Sequence, residues 1–67
     1  MSATPNTAVT VRLELERAEA LALSQFVKRV GWTEIRQNAV DDAEAYTVRD
    51  ALGGLAKALA ESGFAPR

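Results

Sequence analysis

Three carboxylates within four residues, Asp41, Asp42 and Glu44, form the acidic cluster in which this sequence could hold a divalent cation. Calcium takes about 6 to 8 oxygen ligands, usually from a loop that includes glycine, and no glycine lies near this cluster. Asp41 and Glu44 have instead the spacing of a capping box, in which side chains accept hydrogen bonds from the first N–H groups of a helix. The cluster therefore predicts a helix N-terminus, and we expect no metal and no other cofactor.

Nucleophilic catalysis lacks its usual side chains in this sequence. There is no Cys and no His, so neither a thiolate nor the commonest general base is present. Ser24 and Ser62 therefore have no imidazole to activate their hydroxyl groups. The net charge of −1 provides no overall field to attract nucleic acid or an anionic membrane. We expect a protein that is not an enzyme.

The stretch "RVGWTEIRQ" carries the only Trp of the chain, with basic residues on both sides. Two interpretations of Trp32 stay open: it could pack back on Val27 or Phe26 to close a helix end, or it could anchor a protein interface. Cations at a helix end could likewise be structural or could form an anionic contact site. The candidate protein-binding residues are Trp32, Lys28, Arg29, Arg36 and Tyr46.

The N-terminal part of the chain alternates between apolar and polar side chains over residues 8–16. Val9, Val11, Leu13 and Leu15 would share one side of an extended chain. Period-two alternation with β-branched residues predicts a strand with one solvent-facing side. The outward side chains Thr10, Arg12 and Glu14 form a second candidate surface. We expect residues 1–7 to be a flexible tail and residues 8–67 to form one domain.

A helical period begins at Arg17 and predicts a first amphipathic helix. Its apolar face contains Ala20, Leu23, Phe26, Val27 and Val30. Lys28 and Arg29 fall in the last turn, where cations complement the helix dipole, and Gly31 is expected to end the helix in the left-handed conformation. Thr33 is expected to cap a short second helix.

A third helical segment is predicted from Asp41 to Ser62-Gly63, where Phe64 should fold back on the last turn. Its apolar stripe contains Ala45, Val48, Leu52, Leu55 and Leu59. Two consecutive glycines, Gly53 and Gly54, interrupt this helix and suggest a close backbone approach or a bend. The pattern leaves open whether residues 33–62 form one bent helix or two helices.

The predicted fold class is mainly α with one N-terminal β-strand, in the order β-α-α-α. A domain of about 60 residues buries only about 60% of its unfolded surface, and 13 of the apolar residues here are alanines. A lone strand would also leave its backbone polar groups unpaired. We therefore predict a homodimer in which the strand pairs with that of a second copy.

Over residues 9–40 the order of elements resembles the ribbon-helix-helix DNA-binding family. The matching stretches are "VTVRLEL", "AEALALSQFVKRV" and "GWTEI". The resemblance implies that Thr10, Arg12 and Glu14 read the major groove and that the N-terminus of the second helix contacts phosphate. The chain departs from such a surface at Glu14 and Glu16, which repel phosphate, and at Glu34, which lies where an anion should bind. A whole extra helix also follows the matching region.

A second resemblance extends from Ala18 almost to the end of the chain. The stretches "FVKRVGW", "AVDDAEAY" and "GFAPR" resemble a family of short proteins of unknown function in proteobacterial prophages and integrative elements. This resemblance implies an accessory gene and no established activity or site residues.

We expect a protein-binding module of a phage or mobile element that inhibits or modulates a host protein, for example a defence protein. The alternative is a dimeric DNA-binding transcriptional regulator of the ribbon-helix-helix type. The expected partners are a second copy and a host or phage protein, with nucleic acid in the alternative. The sequence shows neither a signal-peptide pattern nor about 20 consecutive apolar residues, so we expect a cytoplasmic protein without a membrane contact.

Overall fold

The computed structural model describes residues 8–64, which form a mainly helical structure. Three helices follow one another: α1 (Arg17–Arg29), α2 (Trp32–Gln37) and α3 (Asp42–Glu61). The second and third segments are therefore separate helices. The predicted N-terminal tail lies outside the described residues. Within residues 8–64 no helix is long and apolar enough to cross a membrane.

Helix α1 begins and ends close to the predicted positions. Glu16 precedes it in an extended conformation, and its backbone N–H donates to Oε1 of Glu19 over 2.9 Å. Lys28 and Arg29 occupy the last turn as expected. The helix ends at Val30, whose N–H donates to the Phe26 carbonyl over 2.9 Å.

The turn between α1 and α2 differs from the prediction. Gly31 has φ −106° and ψ 176°, so it is extended and not in the left-handed conformation expected of it. Thr33 is not the cap of α2, because the helix already begins at Trp32 and Gly31 precedes it as the N-cap residue. Oε1 of Glu34 accepts a hydrogen bond from the Gly31 N–H over 2.9 Å. With this bond Gly31 serves as the N-cap residue of α2 and does not end α1 in the left-handed conformation.

Both ends of α3 were predicted correctly. Oδ1 of Asp41 accepts from the Glu44 N–H over 2.8 Å, while Oε1 of Glu44 accepts from the N–H of Val40 over 2.7 Å. At the other end Gly63 is left-handed, with φ 95°. The Phe64 N–H donates to the Leu59 carbonyl over 2.8 Å, which completes a Schellman motif.

The core lies where α1 and α2 pack on α3, and it is small. The buried apolar residues of the described chain are Ala20, Ile35, Ala45 and Leu59. Ser24 is also buried, and its hydroxyl donates to the Leu21 carbonyl over 2.8 Å. Two alanines, one isoleucine and one leucine bury little apolar surface for a chain of this length.

Residues 8–16 precede α1 and include no β-strand in the described chain. No backbone hydrogen bond joins residues 9–15 to another residue between 8 and 64. The strand and its pairing across a homodimer therefore stay predictions. The alternation itself is visible, because Val9, Val11, Leu13 and Leu15 line one groove together.

Candidate functional site

The aromatic residues singled out in the sequence, Trp32 and Tyr46, come together on the surface. Their ring centroids are 4.7 Å apart and the rings are tilted by 38°. The guanidinium carbon of Arg49 lies 5.0 Å from the centroid of the Tyr46 ring, within the range of a cation–π contact. We refer to Trp32, Tyr46 and Arg49 as the aromatic shelf.

Arg49 was missed when the sequence was considered alone. It follows Tyr46 by three residues, and side chains three apart on a helix are neighbours. That spacing could have placed Arg49 beside Tyr46. It could not have placed Trp32 there, because this contact depends on how α2 packs on α3.

The turn between α2 and α3, the two helices that carry the shelf, is held by several side-chain hydrogen bonds. Arg36 bridges the turn, with Nε 2.6 Å from Oδ1 of Asp42 and Nη1 3.1 Å from the Ala39 carbonyl. The amide nitrogen of Asn38 donates to the Glu34 carbonyl over 2.8 Å. The bond between Arg36 and Asp42 joins α2 to the start of α3, and these two helices carry Trp32 and Tyr46.

The shelf residues remain accessible although their rings touch. Trp32 is 39% exposed and Tyr46 is 50% exposed. The contact between the rings therefore covers part of each side chain and leaves the rest available to a partner. The prediction that Trp32 would pack back through a left-handed Gly31 was wrong in its mechanism, because Gly31 is extended.

The three basic candidates occupy different surroundings. Arg36 belongs to the turn, because its guanidinium is engaged by Asp42 and Ala39. Arg29 is exposed in the last turn of α1 and donates to Oε1 of Gln25 over 3.4 Å. Lys28 is exposed in the same turn. Arg36 therefore holds the turn between α2 and α3, and Arg29 and Lys28 are exposed at the end of α1.

A second unusual surface is formed by the apolar residues before α1. Val9, Val11 and Leu13, which we call the apolar ridge, are 82%, 81% and 63% exposed. The ridge forms one wall of a groove of about 590 Å³, and the facing wall belongs to α3, with Ala51, Gly54, Leu55 and Ala58. The opposite side of the same segment carries Thr10, Arg12 and Glu14, which are all exposed.

A further groove, of about 420 Å³, lies between α1, α2 and α3. Phe26 lines it and is 56% exposed, although its position on the apolar face of α1 favoured burial. Val48, from the predicted stripe of α3, lines the same groove and is also exposed. The predicted apolar faces thus line the space between the helices, but the side chains packed there do not cover all of the apolar residues.

The carboxylates considered as a cation site each have another partner. Asp41 caps α3, Glu44 binds the Val40 N–H, and Asp42 binds Arg36. Among residues 8–64 no group of three or more Asp or Glu side chains is arranged to hold a metal ion. The cluster serves the start of α3.

Fold and surfaces together define a small, mainly helical protein, with three helices between residues 8 and 64, an exposed aromatic shelf and an exposed apolar ridge. The chain belongs to a family of unknown function, DUF7706, which it matches over residues 1–67. No curated protein and no solved structure matches it.

Proposed function

We propose that this protein is a small non-enzymatic protein-binding module that acts as a homodimer. Its target is a host protein, for example a defence protein, which it inhibits or modulates on behalf of a phage or mobile element. The aromatic shelf is the observation that carries the binding role. The mobile-element context comes from the sequence resemblance over the stretches around Trp32, Tyr46 and Phe64.

Trp, Tyr and Arg are the residue types most enriched where binding energy is concentrated in protein interfaces. The shelf brings one of each together, with 4.7 Å between the two rings and 5.0 Å from the guanidinium carbon to the Tyr46 ring. Hot-spot residues bind best when the free protein already holds them in place, because less side-chain entropy is lost on binding. The Arg36 bridge provides such a preformed turn.

The homodimer is supported by the small core and by the ridge. Burying a Val or Leu side chain contributes about 1.5–3 kcal/mol, and the ridge leaves three such side chains largely in water. The backbone of the same segment has no hydrogen-bond partner between residues 8 and 64. A second copy could cover both the side chains and the backbone groups.

A dimeric DNA-binding regulator of the ribbon-helix-helix type is the second candidate. It is favoured by an alternating segment directly before a 13-residue helix, with Thr10, Arg12 and Glu14 exposed on the outer side. It is disfavoured by the charge of that side, since Glu14 repels phosphate. Glu34 also binds the backbone at the start of α2, where phosphate would have to lie.

The experiment that tests the binding role uses the tagged full chain to retain proteins from bacterial lysate before and after nuclease treatment. We expect retention of one defined protein that resists nuclease and that falls at least about tenfold in Trp32→Ala and Tyr46→Ala, as for hot-spot residues. Leu21→Ala is the matched control, because Leu21 is an apolar residue of α1 that is 51% exposed, close to the 50% of Tyr46, and it takes no part in the contacts of the shelf.

Two results would count against the proposal. Retention that is unchanged in Trp32→Ala would exclude the shelf as the binding site. Retention that depends on nucleic acid, falls steeply with salt and disappears in Arg12→Ala would favour the DNA-binding alternative.

A further inference from the structure

The segment that carries the apolar ridge also carries opposite charges on its outer side. Arg12 and Glu14 are exposed, and neither forms an ion pair with another residue between 8 and 64. They are two residues apart, so they lie on the same face of an extended chain. A partner strand that places a Glu opposite Arg12 and an Arg opposite Glu14 would give each charged side chain an ion-pair partner.

Antiparallel pairing of two identical segments about a two-fold axis allows only a few registers. Directly opposite residues must lie on the same side of the sheet. The two-fold axis therefore passes between one residue and the same residue of the other copy. An axis at Arg12 places the two copies of Arg12 opposite each other, and like charges there weaken the pair. An axis at Val11 places Arg12 opposite Thr10 and Glu14 opposite Ala8.

An axis at Leu13 gives a different result. Arg12 of each copy then faces Glu14 of the other copy, so two cross-strand pairs of opposite charge form on the outer side. On the inner side Leu13 faces its own copy, and Val11 faces Leu15. Each of these inner residues already lines the groove between the segment and α3, so the paired strands would close over apolar surface.

We propose that the apolar ridge binds the ridge of a second copy as an antiparallel strand pair centred on Leu13, in which Arg12 and Glu14 pair reciprocally between the copies. This inference rests on the proposed homodimer and specifies its register. The second copy is the occupant because the charge pattern is complementary to itself. The facing wall of the groove has small residues at Ala51, Gly54 and Ala58, which leave room for the side chains of the partner.

Charge reversal tests this register. Glu14→Arg makes both outer positions positive and Arg12→Glu makes both negative, so each variant alone places like charges opposite each other. We expect the dimer Kd of each variant to rise at least about tenfold at low salt, and less at high salt. An equimolar mixture should form a heterodimer with both pairs restored, detected by native mass spectrometry of chains that differ in mass.

Asp50→Arg and Lys57→Glu are the matched controls. They make changes of the same charge and size class at exposed positions of α3 that do not line the groove beside the segment. We expect each control to keep the dimer Kd of the unaltered chain within about threefold, as for surface substitutions. If either charge-reversed variant unfolds alone, recovery of the helical circular dichroism signal in the mixture reports the same restored pairing.

Three outcomes would overturn the proposal. The unaltered chain could be a folded monomer at about 50 µM, well above the Kd expected of a specific dimer. Glu14→Arg could dimerise like the unaltered chain, which would indicate an axis at Val11 or Arg12. The mixture could fail to form the heterodimer. Each leaves the Trp32-dependent retention intact, so failure of the register is distinguishable from failure of the binding role.

Discussion

Gly53 and Gly54 offer a matched pair of substitutions in the middle of α3. Both are exposed helical residues, and between residues 8 and 64 a Cβ atom at either would meet nothing within 4 Å apart from the nearby backbone of α3 itself. Gly is about 0.8–1 kcal/mol less favourable than Ala inside a helix. No contact in the described part of the chain opposes the substitution, so each Gly→Ala change should stabilise an isolated chain by about 1 kcal/mol.

The two positions differ in what they face. Gly54 lines the groove beside the apolar ridge, while Gly53 lines a small groove near Val27 and Val30. If a second copy covers the ridge groove, a methyl group at Gly54 enters the space that the partner uses. Gly53→Ala should therefore raise the Tm by about 4–8 °C, as expected for about 1 kcal/mol in a domain of this size. Gly54→Ala should raise the Tm less than Gly53→Ala does, and it should weaken the dimer.

Thermal unfolding followed by circular dichroism at one fixed protein concentration measures the first effect. Sedimentation equilibrium measures the dimer Kd for the second. A Tm for Gly53→Ala at or below that of the unaltered chain would refute the helix-propensity argument. Identical Tm and Kd values for the two variants would show that no partner approaches Gly54. Gly54→Leu extends the series, because its larger side chain should abolish the dimer while the helix itself tolerates it.

Two further predictions concern the stability of the single chain. Ile35→Ala removes the largest side chain of α2 that is buried in the core, and it should lower the free energy of unfolding by about 2–5 kcal/mol. The expected readout is a loss of cooperative thermal unfolding. A change below about 1 kcal/mol would contradict the role of Ile35 in the core. Asp41→Ala removes the acceptor for the Glu44 N–H and should cost about 1 kcal/mol. Asp41→Asn should retain most of the stability, since an amide oxygen caps as well.

The parts of the fold that were predicted from the sequence are those encoded within a few residues. The start of α3 follows from Asp41 and Glu44, and its end follows from Gly63, because each motif needs only its own hydrogen bonds. The prediction at Gly31 also relied on a local motif, but there the motif was ambiguous. A glycine after a helix can end that helix or begin the next, and the outcome was decided by the Glu34 side chain reaching the Gly31 N–H.

Properties that depend on how helices meet could not be read from periodicity. The apolar spacing placed Phe26 and Val48 on inward faces, but both are exposed because no further element among residues 8–64 covers them. Trp32 and Tyr46 were each candidates for binding, yet their contact depends on the packing of α2 on α3. Arg36 was placed among the binding residues because its charge is visible in the sequence, whereas its bond to Asp42 is not.

The interior built from Ala20, Ile35, Ala45 and Leu59 has a consequence for how much active protein a cell contains. If the proposed homodimer completes this core, the folded fraction depends on protomer concentration. At low synthesis rates most chains would stay unassociated and open to proteases. Above a threshold, each added chain would increase the chance that others find a partner, so the folded population would grow faster than synthesis. Such a protein would act in a dose-dependent way, with little effect at background expression.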